Sequence, residues 1–280
     1  MPVIDAHQHL WNLDRVQYPW LTADFGPLYR TFEEVELEPQ LAAAGVDRTV
    51  IVQSADSTQD TDYMFEVADR WPRIAGVVGW VPLERPDDAA AQLDQRCRDP
   101  RFVGVRHLIH NEPDPDWVIG EKVQDSLGLL AERQLAFDVV AVLPRHLEHV
   151  VTLAERHPSL RLVIDHLAKP PIAECGWEPW ATLLRRAAAC PNVHAKLSGL
   201  NTAAQWQSWT AAELQPYVDL ALELFGPRRL MFGGDWPVAT LAGDYAKVWR
   251  ETTATLARLE AADRDRVRGG TAVEFYRLAL

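Results

Sequence analysis

Eight short runs rich in β-branched residues, at 3–10, 48–54, 74–83, 102–109, 136–142, 160–167, 193–199 and 230–236, alternate along this chain with stretches of helical character. Those stretches, at 33–44, 60–71, 87–98, 121–133, 145–157, 178–190, 212–225 and 244–260, repeat Leu, Ala and Val at helical spacing and carry charge on the other face. Such alternation demands parallel strands, since parallel neighbours need a crossover long enough to hold a helix. The runs are almost wholly apolar, which suits strands covered on both faces. Eight such units predict one α/β domain over residues 1–280, a (β/α)8 TIM barrel. No Pro-, Gly- or Ser-rich linker breaks the series, which disfavours a doubly wound sheet or a domain seam. The segment 11–32, rich in Trp, Tyr, Pro and Asp, is longer than a connector needs and is a candidate lid.

Composition narrows the function classes. Lys and Arg number 28 against 40 Asp and Glu, and the net charge of −12 repels phosphate backbones and anionic membranes, so no nucleic-acid or membrane partner is expected. Asp5 and two histidines stand where a signal peptide needs a basic end and an apolar stretch, which predicts a cytoplasmic protein. Cys97, Cys175 and Cys190 are odd in number and widely spaced, as reduced structural cysteines would be. Nothing in the composition speaks against a homo-oligomer.

In a TIM barrel the reactive groups lie at the carboxyl ends of the strands. Those ends carry His7 and His9, Gln53 and Ser54, Trp80, Arg106 and His107, Asp138, His166, Lys196 and Ser198, and Asp235. Strand alternation places Asp5, His7 and His9 on one face. Two adjacent imidazoles in an apolar strand point to a metal or catalytic site, with backbone-bonded core histidines as the structural alternative. His166 precedes a proline turn and reads equally as a capped core histidine. Asp235 follows Gly233 and Gly234, where glycine permits close approach, and helix capping is its competing reading.

Together, His-x-His on the first strand, a histidine on the sixth and an aspartate on the eighth resemble the amidohydrolase superfamily. The motifs Asp5-Ala6-His7-Gln8-His9-Leu10-Trp11, Asp165-His166-Leu167-Ala168-Lys169-Pro170 and Gly233-Gly234-Asp235-Trp236-Pro237 are similar to its sugar-lactonase branch. Thr271–Leu278 is similar to the family's last helix. The fourth and fifth strands lack the bridging lysine and additional histidine of two-metal members, so the resemblance implies at most one divalent ion, Zn2+ in the first place. His7, His9, His166 and Asp235 would hold it, with metal-free hydrolysis as the alternative.

The resemblance further implies that a small sugar lactone of the L-fucono, L-rhamnono or L-galactono type is hydrolysed to its aldonic acid, a carboxylic ester hydrolysis. A lactone needs an activated water, charge stabilisation at the carbonyl oxygen and a proton for the leaving alkoxide. Asp235 would serve as base and then acid, with His166 and Arg106 as further catalytic candidates. Trp11, Gln53, Trp80, His107, Lys169 and Trp236 are candidate substrate contacts, the indoles stacking on the sugar ring. Alternation allows only one of Arg106 and His107 to face inward unless the strand ends between them, and Lys196 is a weaker contact candidate than Lys169. Competing readings are a metal-independent hydrolase of an aromatic or dicarboxylate lactone, a decarboxylase, and a non-catalytic binding barrel. His146 and His149 are expected on a solvated helix face, and His110, His157 and His194 receive no role.

Overall fold

The computed structural model describes Met1–Leu280. Its eight strands are β1 (Ile4–Gln8), β2 (Arg48–Val52), β3 (Ile74–Gly79), β4 (Phe102–His107), β5 (Ala136–Val139), β6 (Arg161–Ile164), β7 (Val193–Leu197) and β8 (Leu230–Phe232), parallel and paired in chain order. The intervening helices are α1 (Glu34–Ala44), α2 (Thr58–Arg70), α3 (Pro86–Arg96), α4 (Glu121–Glu132), α5 (Pro144–Arg156), α6 (Trp180–Ala188), α7 (Ala211–Phe225) and α8 (Tyr245–Ala254). This is the (β/α)8 barrel that the alternation predicts. No helix is long and apolar enough to cross a membrane.

The ring closes at the carboxyl ends of its first and last strands. Asp235 donates its N–H to the carbonyl of His7 at 2.7 Å, and His9 donates to the carbonyl of Trp236 at 2.7 Å. Gly233 makes that approach feasible, since a Cβ there would lie 2.6 Å from the Cβ of His7. The seam of the barrel therefore coincides with four of the residues singled out above, His7, His9, Asp235 and Trp236.

At the opposite end two short helices follow α8: α9 (Ala261–Asp265) and, after one π turn, α10 (Thr271–Tyr276). Ala272, Phe275 and Tyr276 of α10 pack in one cluster with Ile4, Val50, Ala75, Val103, Ala136, Val163 and Met231 from the strands. The helix thus stops the amino-terminal mouth with apolar surface. A larger cluster fills the space between strands and helices, including Phe137, Leu162 and Leu197 against Leu127, Leu153 and Leu184.

Several expected runs outlast their ladders. β6 ends at Ile164, and His166, Leu167, Ala168 and Lys169 turn left-handed with φ of 55°, 50°, 59° and 51°. Each L-residue held there costs about 1–2 kcal/mol. The turn is tied down by Lys169 N–H to the carbonyl of His166 (2.9 Å) and by Trp180 Nε1 to that of Leu167 (2.7 Å). His146 and His149, expected on a solvated face, are buried, because α5 turns that face inward and His149 Nε2 meets Asp116 Oδ1 at 2.8 Å.

Candidate active site

β1 does not alternate evenly. Its register against β2 slips between Asp5 and Gln8, and Asp5 parts from the two histidines. Its carboxylate accepts the N–H of His7 (3.0 Å), the N–H of Gly234 (2.8 Å) and the hydroxyl of Tyr245 (2.8 Å), tying β1 to β8 and α8. The expectation of a face shared by Asp5, His7 and His9 thus holds for the histidines alone.

His9 Nδ1 donates to the carbonyl of Val52 at 2.8 Å, which fixes its tautomer and leaves Nε2 with a lone pair. That lone pair faces His7 Nε2 at 3.1 Å and Asp235 Oδ1 at 3.5 Å. Asp235 Oδ1 is also 3.7 Å from His7 Nε2, and its Oδ2 lies 3.9 Å from His166 Nδ1. His166 Nδ1 is 2.9 Å from Ser198 Oγ. The four residues, on or just beyond the carboxyl ends of the first, sixth and eighth strands, therefore converge.

Burial lowers the pKa of His7 and His9 and takes His166 down to about 4, so all three imidazoles are neutral near pH 7. Asp235 is also shifted down, which for a carboxyl keeps the charge. Burial alone would raise its carboxyl, but His166, His9, His7 and Lys169 together hold it well below the usual range. A buried carboxylate among neutral imidazoles is a donor set suited to a divalent cation. Two observations support that fit: His7, His166 and Asp235 offer ligand atoms within 4.8 Å of one another, and Asp235 Oδ2 is buried without a partner. Gly199, at φ +56°, completes the cradle, since a Cβ there would fall 2.5 Å from Asp235 Oδ2 and 2.8 Å from His166 Nδ1.

A second cluster lies beneath His7. Lys196 Nζ sits 2.5 Å from Asp138 Oδ2, 3.0 Å from Asp165 Oδ1 and 3.0 Å from His7 Nδ1, and all are fully buried. Lys196 thus belongs to the barrel interior, which removes it as a substrate contact. Arg106 spans the two clusters, with Nη1 3.1 Å from Asp165 Oδ2 and Nη2 donating to the carbonyl of Gln53 at 2.5 Å. Burial would raise Asp165, yet Lys196, His7 and Arg106 hold it well below the ordinary carboxylate range.

Above the seam opens a cavity of about 370 Å³. His9, Trp11, Arg106, His166, Lys169 and Asp235 line it as expected. Gln53, Trp80, His107 and Trp236 do not. Gln53 turns its amide to Asp56 Oδ1 (2.9 Å) and to the carbonyl of Arg106 (3.2 Å), supporting the arginine rather than a ligand. Trp80 Nε1 donates to His107 Nδ1 at 3.1 Å, and His107 stacks on Trp117 and gives its Nε2 proton to Glu112 Oε1 at 2.7 Å. Between the two strand-end neighbours, alternation selects Arg106. Trp236 packs edge-on against Phe32 at 5.3 Å, behind the site.

The remaining wall includes Trp20, Phe25 and Asn111, none of them singled out in the sequence, and His110, to which the sequence assigned no role. Trp20 and Phe25 lie in the 11–32 segment, which therefore covers one side of the cavity as a lid would. Trp20 is anchored by Nε1 to the carbonyl of Ser54 at 2.6 Å. His110 lies just past β4, and its position after a strand end is the signal that could have found it.

Comparison with known proteins places this geometry. The amidohydrolase family model matches residues 4–278. An L-fucono-1,5-lactonase from Burkholderia ambifaria is 41% identical over 288 residues, covering 98% of this chain and 95% of that protein. An L-fucono-1,5-lactonase from Burkholderia multivorans is 35% identical over 98% of this chain and 96% of its own length. The crystal structure of a Burkholderia multivorans amidohydrolase with bound zinc superposes with a TM-score of 0.92 at 35% identity, covering all of both chains.

Proposed function

The chain belongs to the amidohydrolase family, and from that premise we propose that it is a lactonase that opens a sugar 1,5-lactone of the L-fucono type to its aldonic acid. L-Rhamnono- and L-galactonolactones are the nearest alternatives in the same class. The observation that carries the reading is Asp235, a buried carboxylate with an unpartnered oxygen that lines the cavity among three neutral imidazoles.

Asp235 takes a proton from water as the water oxygen bonds to the carbonyl carbon, and returns it to the ring oxygen as the ring C–O bond breaks. The product is an aldonic acid, which ionises in solution. Arg106, whose Nε has no protein partner, supplies N–H groups against the charge that builds on the carbonyl oxygen. Lys169 Nζ, held by Thr202 Oγ1 at 3.0 Å, has further protons for substrate hydroxyls. Trp20 and Phe25 offer flat faces to the C–H surface of a sugar. His7, His9, His166 and Asp235 would hold one divalent ion, Zn2+ first, which when bound supplies positive charge to polarise the lactone carbonyl.

A pH-indicator screen of L- and D-aldono-1,4- and 1,5-lactones tests the reading, because each opened ring releases an acid. Turnover is expected with L-fucono-1,5-lactone above the D-series. A blank across that panel, with turnover of aromatic lactones or aromatic acids instead, would overturn it.

A further inference from the structure

Four charged groups gathered in the barrel interior need a reason beyond packing. Asp138, Asp165, Lys196 and Arg106 are each nearly or fully buried, and exchanging such a network for apolar residues of similar volume is often neutral or stabilising. His7, Asp138 and Asp165 are arranged as a cation site, and the Lys196 ammonium already stands among them at 2.5–3.0 Å. The network has one further member, and it comes from the far end of the molecule. Tyr276 of α10 donates its hydroxyl to Asp138 Oδ2 at 2.8 Å. A line of polar contacts therefore runs from the helix that stops the bottom of the barrel, through Asp138 and Lys196, to the rear nitrogen of His7.

We propose that Tyr276 and Lys196 are positioning residues that set the His7 imidazole from below, so that α10 supports the active site as well as the core. His7 Nδ1 meets Lys196 Nζ at 3.0 Å and Asp165 Oδ1 at 3.2 Å, and these contacts fix how the ring stands and which way Nε2 points. Tyr276 holds Asp138, and Asp138 holds the ammonium in place beneath the ring. Groups one contact removed from a metal-binding histidine are commonly worth about 10–100-fold in metal affinity or activity. This inference rests on the lactonase reading only for its kinetic arm.

The test compares Tyr276→Phe, which removes one hydroxyl, with Phe275→Leu, which loosens the same helix and the edge-on packing of its ring on Tyr276 at 4.8 Å but leaves every hydrogen bond of the network in place. Lys196→Met is the stronger variant should it fold. The primary readout is the 15N imidazole spectrum of metal-free protein labelled at histidine, supplemented by Zn2+ competition against a chromophoric chelator and by kcat and KM. The His7 signal is expected to move in Tyr276→Phe and stay in place in Phe275→Leu, with kcat falling about tenfold in the former at little-changed KM. An unmoved His7 signal in Tyr276→Phe, or an equal shift in Phe275→Leu, overturns the proposal. The spectrum decides this even if no lactone is opened, an outcome that would count against the proposed function instead.

Discussion

Asp235 is held as an anion by its neighbours, at φ +53°, with one oxygen free. Asp235→Asn removes the base while keeping the shape, and turnover should fall about 10²–10⁴-fold in a folded protein. Steady-state kinetics with L-fucono-1,5-lactone checks this, and near-normal turnover would exclude the role. Asp60 of α2 is a different case: its carboxylate accepts the N–H groups of Ser54 (2.6 Å) and Ala55 (3.0 Å) at the cavity edge. Burial pushes its pKa up to about 6, against the pull of those N–H groups. The folded protein therefore binds this proton more tightly than the unfolded chain. Its ionisation costs stability progressively between about pH 4 and 6 and fully above that window. Asp60→Asn should lose less stability between pH 4 and pH 7 than the parent, by up to about 3 kcal/mol, in urea unfolding. His7, His9, His166 and Asp235 could be grouped from the sequence because together they resemble the amidohydrolase pattern, although taken singly His166 reads equally as a core histidine and Asp235 as a helix cap. The direction of Trp80, His107 and Trp236 could not be read, because strand position gives height along the barrel but not where a side chain turns once the ladder stops.

The segments joining strands to helices do the finer placement. The left-handed turn over His166–Lys169 aims both residues at the cavity, and no glycine marks it in the sequence. Gly199, just beyond β7, does carry such a mark: its φ is +56° and its missing Cβ leaves room for Asp235 and His166. Gly199→Ala should cost about 1–2 kcal/mol in urea unfolding from the backbone alone. It should also reduce turnover well beyond what that destabilisation explains, since the new methyl displaces one of two site residues. A variant that unfolds earlier yet keeps parental kcat would separate the cradle from the chemistry. The slip in β1 belongs to the same class. Period-two alternation sends Asp5 with His7 and His9, and only the paired backbone shows the extra residue that turns it toward Gly234 and Tyr245.

For the molecule as a whole, strand number, strand order and helix placement were readable because eight apolar runs at regular intervals admit few alternatives to a barrel. The part α10 plays could not be read, since an apolar terminal helix can cover any surface, and its placement under the strands follows from tertiary packing. The candidate metal ligands come from β1, the turn after β6 and the turn after β8, so an ion held there would tie distant parts of the ring together. Exhaustive chelation should lower Tm by about 5 °C and abolish turnover, with Zn2+ restoring both, the shift being that expected for an ion at about 100-fold over its Kd. Fully demetallated protein with unchanged Tm and rate would favour metal-free hydrolysis. The seam between β1 and β8 also bears on biosynthesis. The stave that holds His7 and His9 leaves the ribosome more than two hundred residues before the turn that holds Asp235. A nascent chain thus displays the first two of the candidate ligands with nothing to close against until the eighth strand has followed.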